Sequence, residues 1–445
     1  MSAPRSLSVA LGTLRRRVWA EFLAQLSPGR FLRQALTLAG GTALAQALTL
    51  LVAPIITRLY SPEDYGLAAI YTAMTAILAT AAAGRYELSI TAADNDHHAA
   101  ALLYLSLFCA AAFSTILVPL LIFTAIQLFP GLLPPSAKQV LFLIILNVLL
   151  SATYLTLYYW LNRGAHYKQM AHSRIVQVSV ASLVSIGLGF LNFGFLGLLI
   201  AILLGQFTAI LFVLWHVRTL PSRPWLPNLR DLLQIAREYV GNPKYILPAH
   251  LIGTAAIQIP SLMLNSLFGP TVAGHYALAQ RVVGLPTSLV AAALGDVFRQ
   301  KAAKAYHETG SFRSLFLRTL LLSAGLAVLP YAALGLAAPI AFPLVFSSEW
   351  KTAGLFTQIL CLSGFFQFAL APVDKWAMIV RAESYILFWH ILRLLGVLGL
   401  WAFASFAALG PNQVLLGLAA VSIFMYCLDA VVGYPRTRNP TRVQT

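Results

Sequence analysis

NPKYILPAHLIGTAAIQIPSLMLNSLFGPTVAGHYALAQRVVGLPTSLVAAALGDVFRQK, residues Asn242 to Lys301, decides how the chain is read. Two apolar runs meet at Phe268-Gly269-Pro270, and each is long enough for a helix to cross a bilayer, so the stretch reads as a helical hairpin. Arg281 stands about ten residues into the second run. At about 1.5 Å of rise per residue its guanidinium lies about 15 Å deep, near the bilayer centre. A charge at that depth is costly and is kept where it lines a water-filled cavity or meets a partner.

The hairpin has an echo near the N-terminus. GTALAQ (Gly41 to Gln46) matches GTAAIQ (Gly253 to Gln258), and LYSPEDYG (Leu59 to Gly66) matches LFGPTVAG (Leu267 to Gly274) with proline and glycine in register. The offsets are 253 − 41 = 212 and 267 − 59 = 208, about one helical turn apart. The pattern reads as a duplicated unit of about 210 residues, and repeats with a site at their interface mark transporters.

Of the 445 residues 59% are hydrophobic and 10% charged, against about a quarter charged in soluble proteins. The expectation is an all-α, polytopic membrane protein. Twelve apolar spans are predicted, at about 35–58, 65–88, 99–128, 138–161, 173–193, 195–217, 246–268, 271–297, 314–345, 353–378, 384–408 and 412–434. Residues 35–217 then form one six-helix bundle and 246–434 the other, joined by a cytoplasmic linker at 218–245 and followed by a basic cytoplasmic tail at 435–445. Six spans per unit give both units the same orientation, as parallel pseudo-symmetric repeats about an axis along the membrane normal. Residues 1–34 are basic, and Leu7, Leu11, Leu14, Val18, Phe22 and Leu26 recur at helical spacing. That segment is either an amphipathic helix on the inner membrane surface or a plain basic tail.

The net charge of +16 needs no nucleic-acid partner, because the basic residues sit in loops between apolar spans. Twenty-five of the thirty Lys and Arg fall on the side of the termini and only Arg58, Lys138 and Lys351 on the other, so both termini are expected in the cytoplasm. Cys109, Cys361 and Cys427 fall inside apolar spans and imply neither a disulfide framework nor a metal site.

The remaining two cations, Arg281 and Arg393, are at mid-membrane depth, while Glu87, Asp296, Asp374 and Asp429 lie toward the cytoplasmic helix ends. Arg281 either faces an anionic ligand in a cavity or caps carbonyls at the kink of Pro286, which frees the Val282 C=O. The same two readings stay open for Arg393. Gln46 and Gln258, each with a threonine one turn earlier, give the first helix of each repeat a polar face, which lines a hydrated cavity or glues helices together. Asp94-Asn95-Asp96 followed by His97-His98 is a conceivable metal motif, but a short loop before a helix favours capping. There is no phosphate-cradling glycine loop and no nucleophile spaced to a base, so neither an enzyme nor a cofactor is expected.

LVAPIITRLYSPEDYGLAAIY (Leu51 to Tyr71), GRYELSI (Gly84 to Ile90) and YALAQRVVGLPTSLVAAALGDVFRQ (Tyr276 to Gln300) resemble the Wzx-type oligosaccharide flippases. These form the polysaccharide-transport branch of the multidrug/oligosaccharidyl-lipid/polysaccharide (MOP) exporter superfamily, and the resemblance runs from Leu36 to Tyr434. It implies the MOP exporter fold, a V-shaped pair of bundles in a bacterial inner membrane. It also implies translocation of an undecaprenyl-diphosphate-linked oligosaccharide from the inner to the outer leaflet for cell-surface polysaccharide, with a polysaccharide polymerase and chain-length proteins as partners. Spans 1, 2, 7 and 8 would line the cavity. Arg281 matches the family's cationic position in span 8, Arg85 its basic residue at the inner end of span 2, and Arg58 part of its loop motif; Arg393 has no counterpart. Glu87 and Asp296 end the two equivalent cavity helices, as ion-coupling acids or as surface partners of Arg85 and Arg299. A drug exporter of the same superfamily should carry mid-membrane acids, and a membrane glycosyltransferase or polymerase should carry a large outer loop; this chain has neither.

Overall fold

The computed structural model describes residues 30–128, 137–219 and 227–438. Residues 1–29 and 439–445, which hold most of the expected amphipathic segment and part of the basic tail, lie outside the described residues, as do 129–136 and 220–226.

The first half comprises α1 (Arg30–Leu59), α2 (Pro62–Ala82), α3 (Asp96–Ala112), α4 (Val118–Leu128), α5 (Ala137–Arg163), α6 (Tyr167–Phe190) and α7 (Phe195–Thr219). A short amphipathic α8 (Leu229–Glu238) follows. The second half comprises α9 (Leu247–Phe268), α10 (Pro270–Pro286), α11 (Ala292–Thr309), α12 (Arg313–Phe346), α13 (Lys351–Leu370), the short α14 (Trp376–Ile379), α15 (Glu383–Phe406) and α16 (Pro411–Arg436). Among the described residues twelve crossings are long and apolar enough to span a membrane, because α3 and α4 make one and α10 and α11 another. Large apolar side chains point away from the protein along these helices, with Leu329 78% and Phe406 93% exposed. Lipid is the solvent that such a surface requires.

Local chemistry sets the breaks. Ser61 closes a capping box with Asp64, each side chain taking the other's backbone N–H at 3.1 Å, and Pro62 opens α2 where no N–H is needed. Pro119 and Pro248 leave the carbonyls of Thr115 and Lys244 without their usual donors. Those carbonyls lie in the π turns Phe113–Leu117 and Asn242–Ile246. A third π turn, Thr287–Ala291, follows Pro286.

Each half has its own core. Leu102, Leu161 and Leu199 are fully buried in the first, and Met263, Phe356 and Leu415 in the second. A smaller cluster draws on both halves, with Ala53 beside Leu278, Phe342 and Trp350. It sits at the end of the molecule that carries the short α1–α2 and α9–α10 loops, here the loop end. The opposite, terminal end carries α8 and the last turn of α16. At the loop end α2 and α10 cross with backbones in contact. A Cβ on Gly66 would overlap the Pro270 carbonyl, and one on Gly274 would overlap the Pro62 carbonyl. The glycines matched by the internal repeat therefore face each other, and only glycine permits that approach.

Several boundaries differ from the expected ones, three of them at places that bear on the site. The second span ends at Ala82 rather than near 88, because Gly84 and Arg85 are left-handed (φ 63° and 62°) and lead into a 3-10 turn, Tyr86–Ala92. The fifth begins at Tyr167 rather than near 173, which moves Arg174 from the edge of the span to about two turns inside the helix. The linker holds α8, docked on the first half: Ile235 is buried, the Tyr86 hydroxyl donates to the Ala236 carbonyl at 3.3 Å, and Asp231 lies 3.6 Å from His97.

Candidate functional site

A cavity of about 770 Å³ opens between the halves. It is lined by α1, α2, α6 and α7 from the first half and by α9, α10 and the turn after it from the second. The polar lining includes Gln46, Thr72, Arg174, Gln177, Gln258, Gln280, Arg281 and Ser288, and no Asp or Glu stands among the described residues that line it. The four expected cavity helices all contribute; α6 and α7 are additions.

Arg281 reaches across the top of this cavity. Its Nη1 donates to the hydroxyl of Tyr65 on α2, and the Tyr65 ring stands edge-on to Trp350, 5.4 Å between centroids. Trp350 in turn donates Nε1 to the Thr57 carbonyl at 2.9 Å, so the chain of contacts crosses between the halves three times. Carbonyl capping near the Pro286 kink falls to another residue. Tyr331 donates to the Val283 carbonyl at 3.0 Å and lies 2.9 Å from Thr287 Oγ1.

Arg174 is the functional candidate that sequence reading missed. It lies seven residues inside α6 and lines the cavity from the first half. The signal was present in the spacing. Arg174, Gln177, Ala181, Ser182 and Ser185 recur at helical intervals and all reach the cavity wall. The ion pairs among the described residues include neither Arg174 nor Arg281.

The other expected site residues take different places. Gln46 and Gln258 line the cavity, and Gln46 accepts a hydrogen bond from Ser288, which links α1 to the π turn after α10. The threonines preceding the two glutamines divide. Thr42 lines the cavity, and Thr254 stands 3.2 Å from Thr80 of α2. Arg58 lies at the loop end, away from the cavity lining, donating to the carbonyls of Pro54 and Leu344 at 3.3 Å each. Arg85 is at the terminal end, buried against Glu87 at 3.2 Å, with its backbone carbonyl accepting from Asn242 Nδ2 at 3.0 Å. Arg393 lines a separate, smaller pocket inside the second half.

The two candidate coupling acids are unlike. Glu87 is 1% exposed with Oε2 unpartnered, and burial pushes its carboxyl above the ordinary range against the pull of Arg85. Asp296 is on the surface, 3.5 Å from Arg299, with three quarters of its side chain exposed. In the Asp94-Asn95-Asp96 motif, Asn95 accepts from the His98 backbone at 2.8 Å as the α3 cap, and Asp96 holds Arg163 at 3.1 Å. Those are the contacts of a helix start.

Two pseudo-symmetric six-helix bundles closing at one end over a shared polar cavity make the fold seen in MOP superfamily transporters. The fold is similar to an inward-facing multidrug resistance MATE family transporter of the MOP superfamily, with a TM-score of 0.61 and 17% identity over 88% of this chain and 94% of that one. It is equally similar to a MOP superfamily transporter from Pyrococcus furiosus described as having a binding pocket of reverse polarity (TM-score 0.61, 14% identity, 93% and 96% covered). In sequence, the chain is 23% identical over 393 residues to the succinoglycan biosynthesis transport protein ExoT of Rhizobium meliloti (strain 1021), covering 87% of this chain and 76% of that protein. Residues 55–354 match the polysaccharide biosynthesis protein family, and the chain belongs to it.

Proposed function

We propose that the protein is a flippase that carries an undecaprenyl-diphosphate-linked oligosaccharide from the inner to the outer leaflet of a bacterial inner membrane. The observation that supports this most directly is the cavity charge: Arg174 and Arg281 face one space from opposite halves, with no carboxylate in the described lining. A diphosphate carries its charges across hydrocarbon only if they are neutralised, and a guanidinium binds phosphate oxygens in a fixed fork without losing its proton. The glutamines, serines and threonines around the arginines suit sugar hydroxyls. The prenyl tail can stay in lipid while the headgroup passes, and no covalent step is needed.

Orientation follows from the basic residues. Arg163, Lys168, Arg218, Arg230 and Lys244 crowd the terminal end, while Arg58 and Lys351 stand at the loop end. The positive-inside rule then makes the terminal end cytoplasmic and the sealed loop end periplasmic. Transport proceeds by alternating access, with the halves rocking about their contact. A multidrug exporter of the same superfamily is the weaker reading, since cationic drugs call for acids in this cavity.

The test is Arg281→Ala. Loss of a charge-assisted contact of about 1.5–3 kcal/mol lowers headgroup affinity by one to two decades. Surface glycan and lipid-linked oligosaccharide transport should collapse at normal membrane abundance, and Arg281→Lys should restore them only in part. Normal transport per folded molecule in Arg281→Ala would overturn the reading.

A further inference from the structure

We propose that the second half contains a binding site for one monovalent anion of about chloride's size, held on Arg393. The site is the smaller pocket of about 140 Å³, walled by α9, α10, α13, α15 and α16. At about 30 Å³ per liquid water it has room for an ion and a few waters, and it is far below the about 300 Å³ of a pocket for an organic ligand.

The charge balance argues for an anion. Arg393 projects into this space among the neutral side chains of Tyr276, Gln280, Gln367, Ser422 and Tyr426, and no acid is among the described lining residues. It shares the pocket wall with Tyr426 and lies 5.5 Å from the centre of the Trp389 ring. Neither contact cancels a charge. The acids nearest along the neighbouring helices are engaged elsewhere. Asp429 Oδ1 accepts from Trp376 at 3.2 Å and Tyr385 at 3.0 Å, and Asp374 sits 3.2 Å from Lys375. Arginine cannot shed its proton to escape the cost, so a counter-ion must come from solution. One positive charge among hydroxyl and amide donors matches one negative charge; a sulfate or phosphate would leave an excess.

The site touches the transport pathway without being part of it. Ile257, Gln280 and Gly284 line both pockets, so a single helix wall separates Arg393's ion from the large cavity. Gln280 and Arg281 are neighbours on α10, about 100° apart around its axis; Gln280 borders both spaces and Arg281 only the large cavity. An ion that fixes Gln280 therefore also fixes the face that presents Arg281. The inference rests on the Arg393 pocket alone and is independent of the glycan reading.

The experiment uses the full chain purified into nanodiscs in gluconate buffer, titrated with chloride. Equilibrium binding of radiolabelled chloride and the thermal midpoint are followed together. The wild type should bind about one ion per chain saturably, with bromide competing and sulfate not. Arg393→Gln should weaken binding about tenfold or more, and Arg281→Ala should change it by less than about twofold. Should Arg393→Gln fail to fold, Tyr426→Phe serves instead, with a loss of about tenfold expected. Absence of saturable binding in the wild type, survival of binding in Arg393→Gln or Tyr426→Phe, or its loss in Arg281→Ala would each overturn the proposal.

Discussion

α2 and α10 occupy equivalent places in the two repeats, and they are alike at one end and unlike at the other. Both start on a proline, both reach a glycine four residues later, and those glycines meet backbone to backbone. Past the middle they diverge. α2 stops at Ala82, and the left-handed pair Gly84-Arg85 turns the chain so that Glu87 is buried. α10 passes through its π turn into α11, which runs on to Thr309 and leaves Asp296 in solvent. A seal between two repeats needs matching surfaces, so symmetry is kept where they touch. The terminal ends do not touch each other in this way, and there the two helices are free to carry different chemistry.

Breaking the symmetric end should have the largest effect. Gly66→Leu places a side chain where the Pro270 carbonyl and the Gly274 nitrogen already stand. Overpacking of this kind costs about 1–3 kcal/mol, and here it falls only on the sealed state. Transport should be lost, and a cysteine introduced at Tyr65 should become reactive to an impermeant maleimide added at the loop end. Gly274→Leu should do the same. A strong effect from one glycine and none from the other would show that the contact is not reciprocal.

The unlike ends predict unlike acids. Glu87→Ala strips the partner from a buried Arg85 and should cost about 3–5 kcal/mol, read as a lower thermal midpoint. The pH dependence sharpens this. Because burial raises the Glu87 carboxyl, the folded protein holds that proton more tightly than the unfolded chain. Stability should therefore fall as pH rises from about 4.3, the unfolded value, through the raised folded one. Glu87→Gln should flatten that slope. Asp296→Asn, at an exposed pair, should change stability by no more than about 1 kcal/mol. Equal effects of Glu87→Ala and Asp296→Asn would erase the distinction between the helix ends.

Much of this was legible in the residues. The twelve crossings, the duplication and the paired glycines follow from apolar run length and from two short matched blocks, because both are local properties of the chain. The position of Arg281 about three turns along α10 was legible for the same reason. Azimuth was not. Arg393 has a comparable depth, but which face of α15 meets which neighbour depends on packing, and that packing turns it into the smaller pocket. Arg174 was hidden by a boundary misplaced by about six residues, which set it at the very start of a span, where a basic residue looks like the edge of a loop. Glu87 and Asp296 looked equivalent because register carries no information about burial, which the left-handed Gly84-Arg85 turn decides.

The docking of α8 has a mechanical consequence. A connection of 245 − 218 + 1 = 28 residues could stretch to about 90–100 Å if free. With α8 packed on the first half, and with Asn242 bonded to the Arg85 carbonyl and to Ser89 Oγ at 2.8 Å, the second half is held at its first residues. Asn242 becomes a pivot, and the π turn that starts there is the joint. α9 is the lever arm, 22 residues or about 33 Å long. A rotation of about 15° at Asn242 would sweep its loop end through about 9 Å, so a small angular change at one joint can part the glycine seal at the other side of the membrane.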